Sequence, residues 1–139
     1  MSRQIGDVPT RIFNPGDVIF KEGDEAKSEA FLVHEGKVEI RKNLGGEHKL
    51  LRVISKGELL GELGLFRNAP RSATAIAADA VTLMVIPANR LDAMVRTNPA
   101  LAMAIIKDLA SRMLAAEDRA RDAEERRRKA EGEGGAGSA

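Results

Sequence analysis

The 139-residue chain, 15.0 kDa, carries 22 Lys and Arg against 21 Asp and Glu, and 43% of its residues are hydrophobic. That is one domain's worth of chain, too apolar to be wholly disordered, and no apolar run reaches the ~18 residues that cross a bilayer, so membrane insertion is not expected. Zero Cys excludes a disulfide framework, a thiolate metal site and a Cys nucleophile; four Phe without Trp or Tyr, on a chain of nearly balanced charge, argue against nucleic-acid binding by this chain.

The opening MSRQIGDVPT lacks the apolar stretch of a secretory signal, which makes the cytoplasm the expected location, and residues 1–9 read as an N-terminal arm. From Thr10 to Pro87, short β-rich runs are cut by glycine turns at Gly16-Asp17, Gly23-Asp24, Glu35-Gly36, Gly45-Gly46 and Lys56-Gly57. Val38 and Ile40 alternate with Lys37, Glu39 and Arg41, as Val81, Leu83 and Val85 do with Thr82 and Met84, which is strand periodicity. Asn43 to His48 reads as a hairpin tip. Many short antiparallel strands at this spacing predict a mainly β fold with flanking helices, a sandwich or small barrel of jelly-roll type over residues 10–87.

After Pro87 the period becomes helical, over residues 88–116. Asn98-Pro99 restarts a helix, the Asn capping free amides and the Pro occupying the first position, where its missing N–H costs nothing. Leu101, Ile105, Leu109 and Met113, with Ile106 and Leu114 alongside, predict a broad apolar face, and Met84, Met94, Met103 and Met113 follow element periodicity as core residues. Residues 117–130 are almost wholly charged residues and Ala, a solvated helical extension, and 131–139 read as a flexible tail. Ile106, Met113, Ala116, Ala120 and Ala123 form only a thin stripe, so a monomer or weak homodimer is expected.

One stretch departs from generic barrel sequence: Gly61-Glu62-Leu63-Gly64-Leu65-Phe66, Arg67-Asn68-Ala69, then Pro70-Arg71-Ser72-Ala73-Thr74. The first part is too short for a full helix and too apolar for a solvated loop, which predicts a single helical turn packed into the barrel. Its free amides and glycines suit an anion, and Arg71 adds a planar fork of donors. A carboxylate repels phosphate, so Glu62 is better suited to accepting hydrogen bonds from sugar hydroxyls. A phosphate joined to a ribose satisfies both. A barrel bend in which Arg71 and Glu62 merely pair with each other is the competing reading, and a buried ion pair is a poor stabiliser.

GELGLFRNAPRSATAIA resembles the phosphate-binding cassette of cyclic-nucleotide-binding domains, such as those of the catabolite activator, protein kinase A regulatory subunits and bacterial nucleotide-gated channels. FNPGDVIFKEGDEAKSEAFLVHEGKVEI is similar to the family's early strands, and the similarity extends from about Arg11 to Met113. The resemblance implies a jelly-roll barrel holding a short phosphate-binding helix, followed by C-terminal helices that move on ligand binding. It implies that Arg71, Ser72, Ala73 and Gly64 take the cyclic phosphate, that Glu62 and Gly61 take the ribose, and that Met113, Ala116 and Glu117 stand where a base lid would form.

The function expected is that of a non-enzymatic receptor for cyclic AMP, with a cyclic GMP receptor or a ligand-free interaction module as alternatives. His34 and His48 lie beside charged residues at turn edges without a third ligand, so no metal or other cofactor is expected beyond the nucleotide ligand. No Ser-His-Asp arrangement or paired-carboxylate site supports hydrolysis. The effector on which such a receptor would act is not legible in these residues.

Overall fold

The structure of the protein, a computed structural model, describes residues 2–5, 8–65 and 69–137. Its strands are β1 (Ser2–Ile5), β2 (Val8–Phe13), β3 (Val18–Phe20), β4 (Glu29–Glu35), β5 (Val38–Leu44), β6 (Glu47–Ile54), β7 (Leu59–Leu60), β8 (Thr74–Ala77) and β9 (Val81–Pro87). They form two antiparallel sheets, β1-β2-β9-β4-β7 and β3-β8-β5-β6, which is the jelly-roll arrangement the turn spacing predicts. The stretch set apart as an arm contains β1, which pairs with β2 in the register Ser2 to Arg11 through Ile5 to Val8.

The core lies between the sheets. Phe31, Val33, Leu83 and Val85 of the first sheet meet Val38, Ala75, Ala77 and Ile54 of the second, with Leu60 beside them. Strand alternation by itself predicts one buried face for β9, yet Ile86 is buried as well as Val81, Leu83 and Val85, and so is Met84, the expected core residue of the opposite face. The reason is position: β9 is the middle strand of five, and the face it shares with Ala30 and Leu32 of β4 is also covered. Met94, Leu101 and Ile105 are the large apolar residues that the helices bury.

On the second sheet β6 is an outer strand, and its pairing with β5 shifts register between Ile40 and Arg41. The turn between β5 and β6 falls at Gly45-Gly46, the expected hairpin tip.

Past β9 come a 3-10 turn (Ala88–Arg90), α1 (Leu91–Thr97) and α2 (Pro99–Gly137). The start of α2 follows the expected chemistry: the Leu101 amide donates to Asn98 Oδ1 at 3.0 Å, and Pro99 is the first helical residue. The chain divides into two units, Met1–Ile105 and Ile106–Ala139, with the boundary inside α2. Helical structure continues to Gly137, into the stretch read as a tail. Each added residue there extends an existing helix by one bond without a new nucleus, which offsets part of the cost of its glycines.

The broad apolar face predicted for this helix is narrower in the structure. Leu101 and Ile105 are buried, whereas Met103 and Ile106 are exposed and Met113 and Leu114 are more than half exposed, at 62% and 61%. Core packing therefore holds for Met84 and Met94 and fails for Met103 and Met113: Met103 lies about half a turn from Leu101 and Ile105. Asp108 is buried instead, and its carboxylate accepts from Arg112 Nε at 2.8 Å. Beyond it, Arg127 and Arg128 pair with Glu124 across helical turns, and Arg126 to Lys129 are exposed, as expected of a solvated face. Such pairs stabilise a helix by only ~0.2–0.5 kcal/mol each.

The cap is testable. Asn98→Ala is expected to cost about 1 kcal/mol, read as a lower urea midpoint at unchanged slope, while Asn98→Asp retains most of the stability.

Candidate functional site

The segment between β7 and β8 is built as a tight detour. Gly61 leaves β7 at φ +69, a left-handed conformation that L side chains rarely adopt. A 3-10 turn, Glu62–Leu65, follows and packs against β4, as the short apolar pattern predicts. Phe66, Arg67 and Asn68 lie outside the described residues. The chain returns at Pro70, which bridges to Glu25, and Arg71 is then pinned at both ends of its peptide unit. Its amide donates to Asp24 O at 2.7 Å, and its carbonyl accepts from Gly23 N at 2.8 Å. The turn is four residues long, so it develops little macrodipole.

Arg71 is 8% exposed. Its Nη1 donates to Gly61 O at 3.3 Å, and its Nη2 donates to Ala26 O at 3.1 Å and to Glu29 O at 3.2 Å. The guanidinium lies 4.4 Å from the centroid of the Phe20 ring and 5.7 Å from that of Phe31, and the two rings are stacked with centroids 6.4 Å apart. Its Nε is buried and has no hydrogen-bond partner among the described residues. Burial pushes the Arg71 pKa down; the Glu29 and Asp24 carboxylates act in the opposite sense, and the charge of Arg11 adds to the depression. An arginine begins so far above neutrality that it carries its full charge here. The site is thus a buried cation satisfied in part by main-chain carbonyls, with Nε left over among the described residues.

The other predicted residues fall around this centre. Gly61 supplies one carbonyl to the guanidinium, Glu62 opens the 3-10 turn half-buried, and Gly64 lies within that turn. Ser72 follows Arg71 directly and is exposed, and Ala73 is buried. Met113, Ala116 and Glu117 belong to the second unit and are exposed. Sequence reasoning missed the surroundings of Arg71: Phe20, Phe31, the carbonyls of Ala26 and Glu29, and Arg11, which pairs with Glu29. Carbonyl acceptors carry no side-chain signature. Among the described residues no group of His, Cys, Asp and Glu is arranged to hold a metal ion.

Residues 10–98 match the family model for the cyclic nucleotide-binding domain. The chain belongs to that family. The domain is 34% identical over 104 residues to the cyclic AMP receptor protein of Thermus thermophilus, covering 74% of this chain and 48% of that protein. It is also 39% identical over 70 residues to the regulatory subunit of the cAMP-dependent protein kinase of Mycosarcoma maydis, which covers 50% of this chain and 13% of that subunit. Among solved structures, the domain resembles the Thermus thermophilus catabolite activator protein with a TM-score of 0.64 at 32% identity, over 78% of this chain and 51% of that one. It also resembles the regulatory domain of Toxoplasma gondii PKA crystallised with cAMP, with a TM-score of 0.56 at 27% identity, over 60% of this chain and 32% of that one. The chain thus spans about half or less of the length of these relatives. Among the described residues no helix is long and apolar enough to cross a membrane.

A Cβ at Gly61 would collide with Arg71 Nη1. Gly61→Ala is therefore expected to destabilise the domain by roughly 1–3 kcal/mol, combining the backbone strain with displacement of the guanidinium. In the double variant with Arg71→Ala the collision is gone, so urea unfolding should show a combined loss smaller than the sum of the two single losses.

Proposed function

We propose that this chain is a non-enzymatic receptor domain for a cyclic nucleotide, cyclic AMP in preference to cyclic GMP, whose binding domain spans residues 10–116. The observation that carries the reading is the buried Arg71 guanidinium, held beside the detour between β7 and β8 with its Nε unpartnered among the described residues. A cyclic phosphate carries one negative charge, and a planar guanidinium can give it two parallel hydrogen bonds. Ser72, Ala73 and Gly64 take the remaining phosphate oxygens in this proposal, and Glu62 with Gly61 receives the ribose. Family membership and the three relatives whose names or titles carry cyclic AMP support the choice of ligand. Ser72 is exposed and offers a hydroxyl that a guanine amino group could also use, which makes cyclic GMP the competitor to test.

Occupancy is reported in this proposal by the last helix, with Met113, Ala116 and Glu117 near the base. The exposed Met113 and the charged residues beyond it give that stretch little buried apolar surface, so a modest differential affinity would be enough to shift it. The ligand-free alternative has Arg71 keeping its three carbonyls permanently.

Calorimetric titration of nucleotide-stripped protein separates the readings: saturable binding of cyclic AMP, tighter than that of cyclic GMP, is expected. Charge-assisted hydrogen bonds contribute ~1.5–3 kcal/mol each, so Arg71→Ala should weaken binding at least about tenfold while the barrel stays folded. Glu62→Gln should reduce discrimination against the 2′-deoxy analogue. Hydrogen exchange should show ligand-dependent protection over residues 110–120, with the strands around Val38 and Val81 unchanged. Absence of binding to the wild-type protein would leave the interaction-module reading in its place.

A further inference from the structure

Arg71 is not the sole guanidinium at this end of the barrel. Arg11 on β2 donates its Nη1 to Glu29 Oε1 at 3.1 Å and its Nη2 to Oε2 at 3.4 Å. Its guanidinium lies 5.5 Å from the centroid of the Phe31 ring, which Arg71 approaches at 5.7 Å. Glu29 therefore holds two guanidiniums at once, Arg11 through its carboxylate and Arg71 through its main-chain carbonyl. Arg11, Glu29, Phe31 and Arg71 share the lining of a cleft of about 240 Å³.

The cleft holds charges of both signs beside Arg71. Asp24, Glu25 and Glu29 line it along with Arg11, Lys27 and Arg71, so formal charge there is balanced. Of the carboxylates, Glu29 bears most strongly on the Arg71 guanidinium. A side chain that holds the cation in its charged state also repels the anion arriving at it, unless something cancels its charge. The Glu29 side chain is 15% exposed, so water screens it poorly, and Arg11 is the side chain that neutralises it.

We propose that Arg11 is a positioning residue for the anion site: by clasping the Glu29 carboxylate it cancels the charge that would otherwise repel a phosphate from Arg71. The pair then acts as a tuning element, in which the strength of the Arg11–Glu29 contact sets the affinity of a site neither side chain needs to touch. This rests on Arg71 as the phosphate-binding residue.

The test is cyclic AMP titration of the full chain and its variants at low and high salt. Arg11→Gln leaves Glu29 uncompensated and is expected to weaken binding about threefold to tenfold, by a factor that shrinks as salt rises. Arg11→Lys keeps the charge and should stay within about twofold of wild type, as should the Arg11→Gln, Glu29→Gln double variant. Glu29→Gln alone releases the Arg11 charge and should tighten binding. Opposite signs for the two neutralisations are an outcome that a purely structural role for the pair does not produce. If wild type binds and Arg71→Ala abolishes binding, yet both single neutralisations weaken it equally or neither changes it, this inference falls and the assignment of Arg71 stands. If wild type does not bind, both fall together.

Discussion

One buried positive charge organises the end of the barrel where the candidate site lies. An arginine that is 8% exposed has lost most of its hydration, and the barrel end is arranged to compensate that loss. Carbonyls from Gly61, Ala26 and Glu29 face the guanidinium, and two stacked rings lie beside it. The same residue is tied through its main chain to Gly23 and Asp24. One side chain thus gathers the loop between β3 and β4, the end of β7 and the start of β8 at a single point. A lysine could not do this, since a point charge on a flexible stem has neither the planar fork for three acceptors nor the flat face for the rings.

That arrangement frames the exchange an anion would have to make. The two Nη atoms already donate to oxygens of the protein, so a ligand gains only the difference between its own bonds and those it displaces, plus whatever the idle Nε provides. The competing acceptors are neutral carbonyls, whereas a phosphate oxygen carries charge and would accept the stronger bonds, against the cost of its own desolvation. The core between the sheets provides the frame: Val33, Val38, Ile54, Leu83 and their neighbours form one buried cluster, which resists rearrangement of the strands that carry the site.

Local pattern made the barrel strands legible, because alternation in β5 and β9 and the glycine turns are short-range signals. The 3-10 turn and the Asn98 cap could be read for the same reason, each resting on a handful of adjacent residues. What could not be read was long-range. Arg11 and Glu29 are 18 positions apart and look like ordinary outward residues of two strands until the fold brings β2 and β4 to opposite sides of β9. The burial of Ile86 likewise follows from strand order, which periodicity does not encode. For α2 the failure ran the other way: apolar residues at helical spacing suggested a wide buried face, but only Leu101 and Ile105 are buried among them.

The outer strand β6 raises a separate matter, the behaviour of the molecule in a crowded solution. It runs from Glu47 to Ile54 along a sheet edge, and Leu50, Leu51 and Val53 are exposed on it. A long apolar edge of this kind is a template on which another chain can add a strand and begin to aggregate. The register shift against β5 interrupts it: Ile40 faces Arg52 while Arg41 faces Leu50, leaving Leu51 unmatched, so the edge bends there. Charged Glu47, Lys49 and Arg52 punctuate the same strand. An irregularity that looks like a flaw in the sheet is therefore a feature that opposes the addition of a further strand at this edge.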